Sequence, residues 1–278
     1  MDAFLNMSGV MRDILITTQK ELPKFSTINP EKHSMEELQQ FLRQSKNPET
    51  IALVIQLMAD HPDGSKALNE VKPLLDSKDL NIYAAALSYM MAHGSANDLP
   101  IYITNANDML SRVLASEGKI AQMYRTKVAV SIQRAKETGR GQKAHLLFDR
   151  PTDSHDLFLQ YSFLVNGYGA ALRRGQETLP QLKKILLSSD NDQALVSVGQ
   201  QLIEAGKFKE IKDMIVTSKE ESKSDALILS LFLSMYMNPD AYKQAKSEKG
   251  IPVLCKELMT GGKTFSKKQK EFLEQMSK

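Results

Sequence analysis

Residues 34 to 60 read SMEELQQFLRQSKNPETIALVIQLMAD, and this stretch decides the fold class. Ser34 is followed three residues later by Glu37, the spacing of a capping box: the hydroxyl takes an orphan amide of the first turn, and the carboxylate reaches back to the cap's own N–H. That spacing predicts a helix over Met35–Gln44. Asn47-Pro48-Glu49 restarts the chain by the same logic, with an asparagine cap and a proline at the first helical position, where a missing N–H costs nothing. Ile51, Val54, Ile55 and Met58 then fall on one face at helical spacing.

The same punctuation recurs on both sides. Asp60-His61-Pro62-Asp63-Gly64 reads as a turn, Ala67 to Leu75 as an apolar stripe interrupted by Pro73, and Ile82 to Met90 as a helix that Gly94 stops in a left-handed conformation. Asp153 to Arg174 is one long apolar-periodic segment closed by Gly175. Helices are expected at about Leu179–Leu187, Asp192–Ala205, Phe208–Val216, Ser224–Met237, Asp240–Glu248, Pro252–Met259 and Lys267–Met276. Strand signals are scarce, and Ile101-Tyr102-Ile103 is too brief to seed a sheet. The expected fold is all-α, a two-lobed bundle or stacked antiparallel helix pairs without a substantial sheet. Its parts are an amphipathic arm (1–33), an N-terminal lobe (34–117), a basic helix and loop (118–150), a C-terminal lobe (151–262) and a basic C-terminal helix (263–278). A faint duplication runs through this plan. Sliding residues 38–58 by 144 pairs Leu38 with Leu182, Ser45 with Ser189, Asn47 with Asn191 and Val54 with Val198. Helix pairs rich in Leu, Ala and Ser also produce such coincidences without common ancestry.

With 278 residues, 42% hydrophobic and 25% charged, the chain has a globular composition, which excludes disorder throughout, a collagen-like chain and a disulfide mini-protein. One cysteine, Cys255, permits neither an internal disulfide nor a thiolate zinc site. No secretory signal is read at the N-terminus, and the longest apolar run, Ala226 to Met237, falls short of the ~20 residues that a bilayer requires. The expected location is therefore cytoplasmic, without membrane insertion.

Net charge is +3, but unevenly placed: from Arg112 to Arg150 nine cations face three acids, and from Lys263 to Lys278 five lysines face two. On a helix, Ala121, Tyr124, Val128, Ile132 and Ala135 share one face, with Arg125 and Lys136 on one flank and Lys119, Lys127 and Arg134 toward the other. Thr138-Gly139-Arg140-Gly141-Gln142-Lys143 follows, where glycines let backbone approach a phosphate and Arg140 and Lys143 supply charge. Lys119, Arg125, Lys127, Arg134, Lys136, Arg140, Lys143, Arg150, Arg173 and Arg174 are therefore the candidate contacts to nucleic acid, with RNA preferred, in an inter-lobe cleft. A solvated basic helix face with a loop attached is the plainer account of the same residues.

No enzymatic signature emerges. Gly261-Gly262-Lys263-Thr264 lacks the upstream glycine and the preceding strand of a phosphate loop, so it reads as a helix stop and linker. Asp153, His155, Asp156 and His145 match no ligand spacing, and helix capping accounts for the acids. Cys255 has Lys256 beside it but lies on an apolar helix face, as a structural thiol would. No cofactor and no metal are expected. Phe4, Leu5, Met11, Ile14 and Leu15 give the first 22 residues an amphipathic pattern; together with Phe272 in the C-terminal helix they are candidates for self-association into a homo-oligomer. The expected function is a non-enzymatic assembly protein on single-stranded nucleic acid, whose layout resembles the compact helical nucleoproteins of negative-strand RNA viruses without matching a motif of theirs. The alternative is a helical-repeat scaffold for a protein partner or an anionic membrane surface.

Overall fold

The computed structural model describes residues 33–138, 155–237 and 250–277. It is all-α, and no strand occurs among the described residues. The chain divides into two compact units, Met1–Tyr102 and Ile103–Lys278. The expected helix at Asp240–Glu248 lies outside the described residues. Among the described residues no helix is long and apolar enough to cross a membrane.

In the first unit, α1 (Met35–Gln44) begins with the capping box in full: the Glu37 N–H donates to Ser34 Oγ at 3.3 Å and the Ser34 N–H to Glu37 Oε2 at 2.8 Å. In α2 (Pro48–Asp60) the Thr50 N–H donates to Asn47 Oδ1 at 3.1 Å. The chain then breaks into a 3-10 turn (Gly64–Ala67), one α-turn, α3 (Leu68–Val71), and a second 3-10 turn (Lys72–Asp76). Pro73 explains the break, since its ring cannot sit inside a regular helix. Asp79 caps α4 (Leu80–His93), which is apolar nearly all round and packs on α2 as the most extensive pairing of this unit. At its end Tyr89 donates its hydroxyl to the Gly64 carbonyl, and His93 Nε2 lies 2.8 Å from the Ala59 carbonyl. Gly94 corrects an expectation. Its φ is −61°, not left-handed; glycine is needed there because an added Cβ would lie 2.4 Å from the Met90 carbonyl oxygen.

The helix α5 (Leu99–Thr138) is continuous over 40 residues, and the boundary between the units falls near its start. The second unit then follows the expected order closely: α6 (His155–Arg173), α7 (Leu179–Ser188), α8 (Asp192–Glu204), α9 (Phe208–Thr217), α10 (Glu221–Met237), α11 (Ile251–Thr260) and α12 (Lys267–Met276). Gly175, at φ 81°, ends α6 in the left-handed conformation that other residues rarely adopt. The centre is α8, held between α6 and α10. Small residues allow both approaches: a Cβ on Gly169 of α6 would meet Gln201 Oε1 at 1.9 Å, and one on Gly199 of α8 would meet Ser230 Oγ at 2.0 Å. The C-terminal helix α12 starts at the Ser266–Gln269 capping box and lies on α10, where Phe272 meets Phe232 edge-on at 5.2 Å between ring centroids.

Candidate nucleic-acid interface

The basic segment is built on α5. A helix of 40 residues spans about 60 Å, and this one carries Arg112, Lys119, Arg125, Lys127, Arg134 and Lys136 against Asp108, Glu117 and Glu137. In its first half Ala106, Met109, Leu110, Val113 and Glu117 are buried, while Arg112 and Lys119 are exposed. Arg112, Lys119, Lys127 and Arg134 occupy helical positions within an arc of about 80°, and Arg125 and Lys136 share another direction. Arg140, Lys143 and Arg150 lie outside the described residues.

What holds α5 in place is a carboxylate that sequence reasoning missed. Glu117 is only 4% exposed. Its Oε2 accepts from the Tyr161 hydroxyl of α6; its Oε1 accepts from Ser189 Oγ at 3.1 Å and from the Asp190 N–H at 2.9 Å, both in the α7–α8 turn. A buried carboxylate without donors costs several kcal/mol, so these donors are what permit it. Burial, together with the adjacent carboxylate, pushes the Tyr161 phenol far above its ordinary pKa, which keeps the hydroxyl protonated as the donor. Nearly three turns earlier on α5, Asn107 Oδ1 accepts from the Tyr168 hydroxyl at 2.9 Å, so α5 is tied to α6 at two levels. The sequence did carry a signal for this: Glu117 continues the Met109, Leu110, Val113 stripe at a spacing of four, where a charged residue is out of place unless it is paired.

The remaining candidates divide. Arg173 donates to Gln201 Oε1 and to Glu204 Oε2, each at 2.8 Å, so an acid from α8 balances its charge. Arg174 is exposed at the end of α6. Phe272 is half-buried against Phe232 of its own unit, and Gln269 beside it donates to Asp225 Oδ1 at 2.6 Å, so α12 is engaged within the unit. Phe4, Leu5, Met11, Ile14 and Leu15 lie outside the described residues.

Two lysines act as helix caps. Lys263 donates to the carbonyl oxygens of Ile215 and Ser218 and to Ser224 Oγ, the last at 3.0 Å, closing the end of α9. All its N–H groups are then accounted for, which leaves none for a phosphate, and burial pulls its pKa below that of a free lysine. Lys223, 6% exposed, donates to the Leu187 carbonyl at 2.7 Å and closes α7 in the same way. Lys256 does not activate Cys255: the thiol is fully buried, and burial pushes its pKa up to about 12. In the Asp60–Gly64 turn, His61 Nδ1 accepts from the Asp63 N–H at 3.0 Å, which is ordinary turn bonding. Among the described residues no three of His, Cys, Asp and Glu are grouped as metal ligands would be; Asp153 and His145 are outside them. Comparison with protein-family models, with curated proteins and with solved structures finds no match to this chain.

Proposed function

We propose that the protein binds single-stranded nucleic acid, RNA by preference, along α5, as a non-enzymatic assembly protein. The observation that supports this reading is the charge on one continuous helix: six cations against three acids, of which Glu117 is already consumed by buried hydrogen bonds. Past Glu117 the helix carries Lys119, Arg125, Lys127, Arg134 and Lys136 with Glu137 as its acid. Cations spaced over about 36 Å of the helix suit a polyanion rather than a small anion, and phosphate contacts of this kind need no base recognition. Assembly would rest on the N-terminal arm, because α12 is engaged within its own unit.

Fluorescence anisotropy with a labelled oligouridylate, titrated at several salt concentrations, tests the proposal. If the four cations of the shared arc, Arg112, Lys119, Lys127 and Arg134, reach the strand, the log of the affinity falls against log salt with a slope of about 2.8, and Lys119→Ala lowers that slope by about 0.7. An affinity that does not change with salt rejects it.

A further inference from the structure

Residues 35–93 and 179–237 have the same internal order. A shift of 144 carries Met35–Gln44 onto Leu179–Ser188 and Pro48–Asp60 onto Asp192–Glu204, with both ends of both helices coinciding. The caps coincide as well: Asn47 Oδ1 accepts from the Thr50 N–H at 3.1 Å and Asn191 Oδ1 from the Ala194 N–H at 2.8 Å. After a connection three residues shorter, a shift of 141 brings Ser77 onto Ser218, both extended residues that end a helical segment, and Leu80 onto Glu221, where α4 and α10 begin. Leu38, Ala52, Val54 and Met58 are buried, and so are Leu182, Val196, Val198 and Leu202. In each unit the second helix of the pair makes its largest contact with the helix that follows the serine. Helix lengths vary widely, so four coincident ends joined to matching caps and packing are not what leucine-rich composition alone produces.

The two sets differ at one edge. In the second, Glu117 of α5 seals the α7–α8 turn by accepting from Ser189 and Asp190, and α6 covers Gln201; Ile185, Ser189, Asn191 and Leu195 are buried. In the first, the counterparts are open: Phe41 is 38% exposed, Asn47 is exposed, and Ser45, Ile51 and Leu57 are half-buried. Lys46, exposed, stands where Asp190 stands.

We propose that the two stretches are copies of one helical module, and that the α1–α2 edge of the first copy docks an amphipathic helix of a partner protein that carries a carboxylate, as α5 presents Glu117 to the second copy. The apolar part of such a helix covers Phe41 and Ile51; its carboxylate meets the Ser45 hydroxyl and the Lys46 ammonium, a charge complement that the second copy lacks. The proposal uses residues of α1 and α2 and none of the α5 cations, and it does not depend on the nucleic-acid reading.

The probe is a fluorescein-labelled, acetylated peptide with the sequence of Ala106–Gln122, which bears the buried stripe of α5 and its glutamate. Titrated with the full chain, it binds saturably; Lys46→Glu or Phe41→Asp in the chain, and Glu→Gln at the peptide's glutamate, each weaken binding about tenfold. Both chain positions are exposed, and circular dichroism checks that the variants stay folded. Absence of saturable binding overturns the proposal, whether the edge is filled by the chain's own N-terminal residues or by a second copy. Binding indifferent to Lys46→Glu and Phe41→Asp also overturns it, because the peptide is then replacing α5 in its own unit.

Discussion

Glu117 shows how one side chain joins segments that are remote in sequence. Its two oxygens are shared among Tyr161, Ser189 and Asp190, so α5, α6 and the α7–α8 turn meet at a single carboxylate. Replacing it by alanine removes the acceptor from three donors and opens a cavity; Glu117→Ala should destabilise the second unit by about 3 kcal/mol, read from urea unfolding followed by circular dichroism. Tyr161→Phe leaves the other two donors in place and should cost less, about 1–2 kcal/mol. The reverse order of the two losses would mean that the Tyr161 hydroxyl, and not the Glu117 carboxylate with its other donors, is what holds the helices. Neither residue could be paired with the other from the sequence: 44 positions separate them, and only the fold brings them together.

At the scale of the helix, packing around α8 depends on having almost no side chain at two points. Gly199 faces Ser230 so closely that an added methyl would lie 2.0 Å from Oγ and 2.6 Å from Cβ, closer than rotation of the serine alone can relieve. Gly199→Ala should therefore cost about 2 kcal/mol, and Ser230→Gly in the same chain should recover part of that loss; thermal unfolding of the two variants and the double variant measures the coupling. Helix boundaries were largely legible in the sequence, because Ser34, Asn47, Asn191 and Ser266 act locally: each side chain accepts from the amide three residues on. The start of α5 was not legible. Ile101-Tyr102-Ile103 has β-branched residues, and Gly118 interrupts the pattern, yet tertiary burial of Leu99, Tyr102, Ala106 and Met109 outweighs those local preferences. Pro100 is tolerated because it stands in the first turn of the helix. Gly94 looked like a conformational stop and proved to be a steric one, a distinction that depends on which atoms lie above it.

For the molecule as a whole, buried groups that ionise only at high pH set an alkaline limit. Burial pushes Tyr89 and Cys255 up to about 12, and it raises Tyr161 and Tyr168 further. Each of these is neutral when protonated, and its folded pKa lies above the unfolded one. The unfolded chain therefore releases protons first, from about pH 8.5 for the thiol and about pH 10 for the phenols, and stability falls as pH rises through that range. The urea midpoint should decline steadily above about pH 9, and a flat profile to pH 11.5 would show that these groups find water without unfolding. The charge of α5 was legible as a local excess of Arg and Lys, whereas the balancing of Arg173 by Glu204 was not, since the acid comes from another helix. The single thiol has a practical corollary. Being fully enclosed and reluctant to ionise, Cys255 is nearly inert toward maleimides at neutral pH, so an introduced surface cysteine can carry a dye or spin label against a silent background, with no need to remove the native residue.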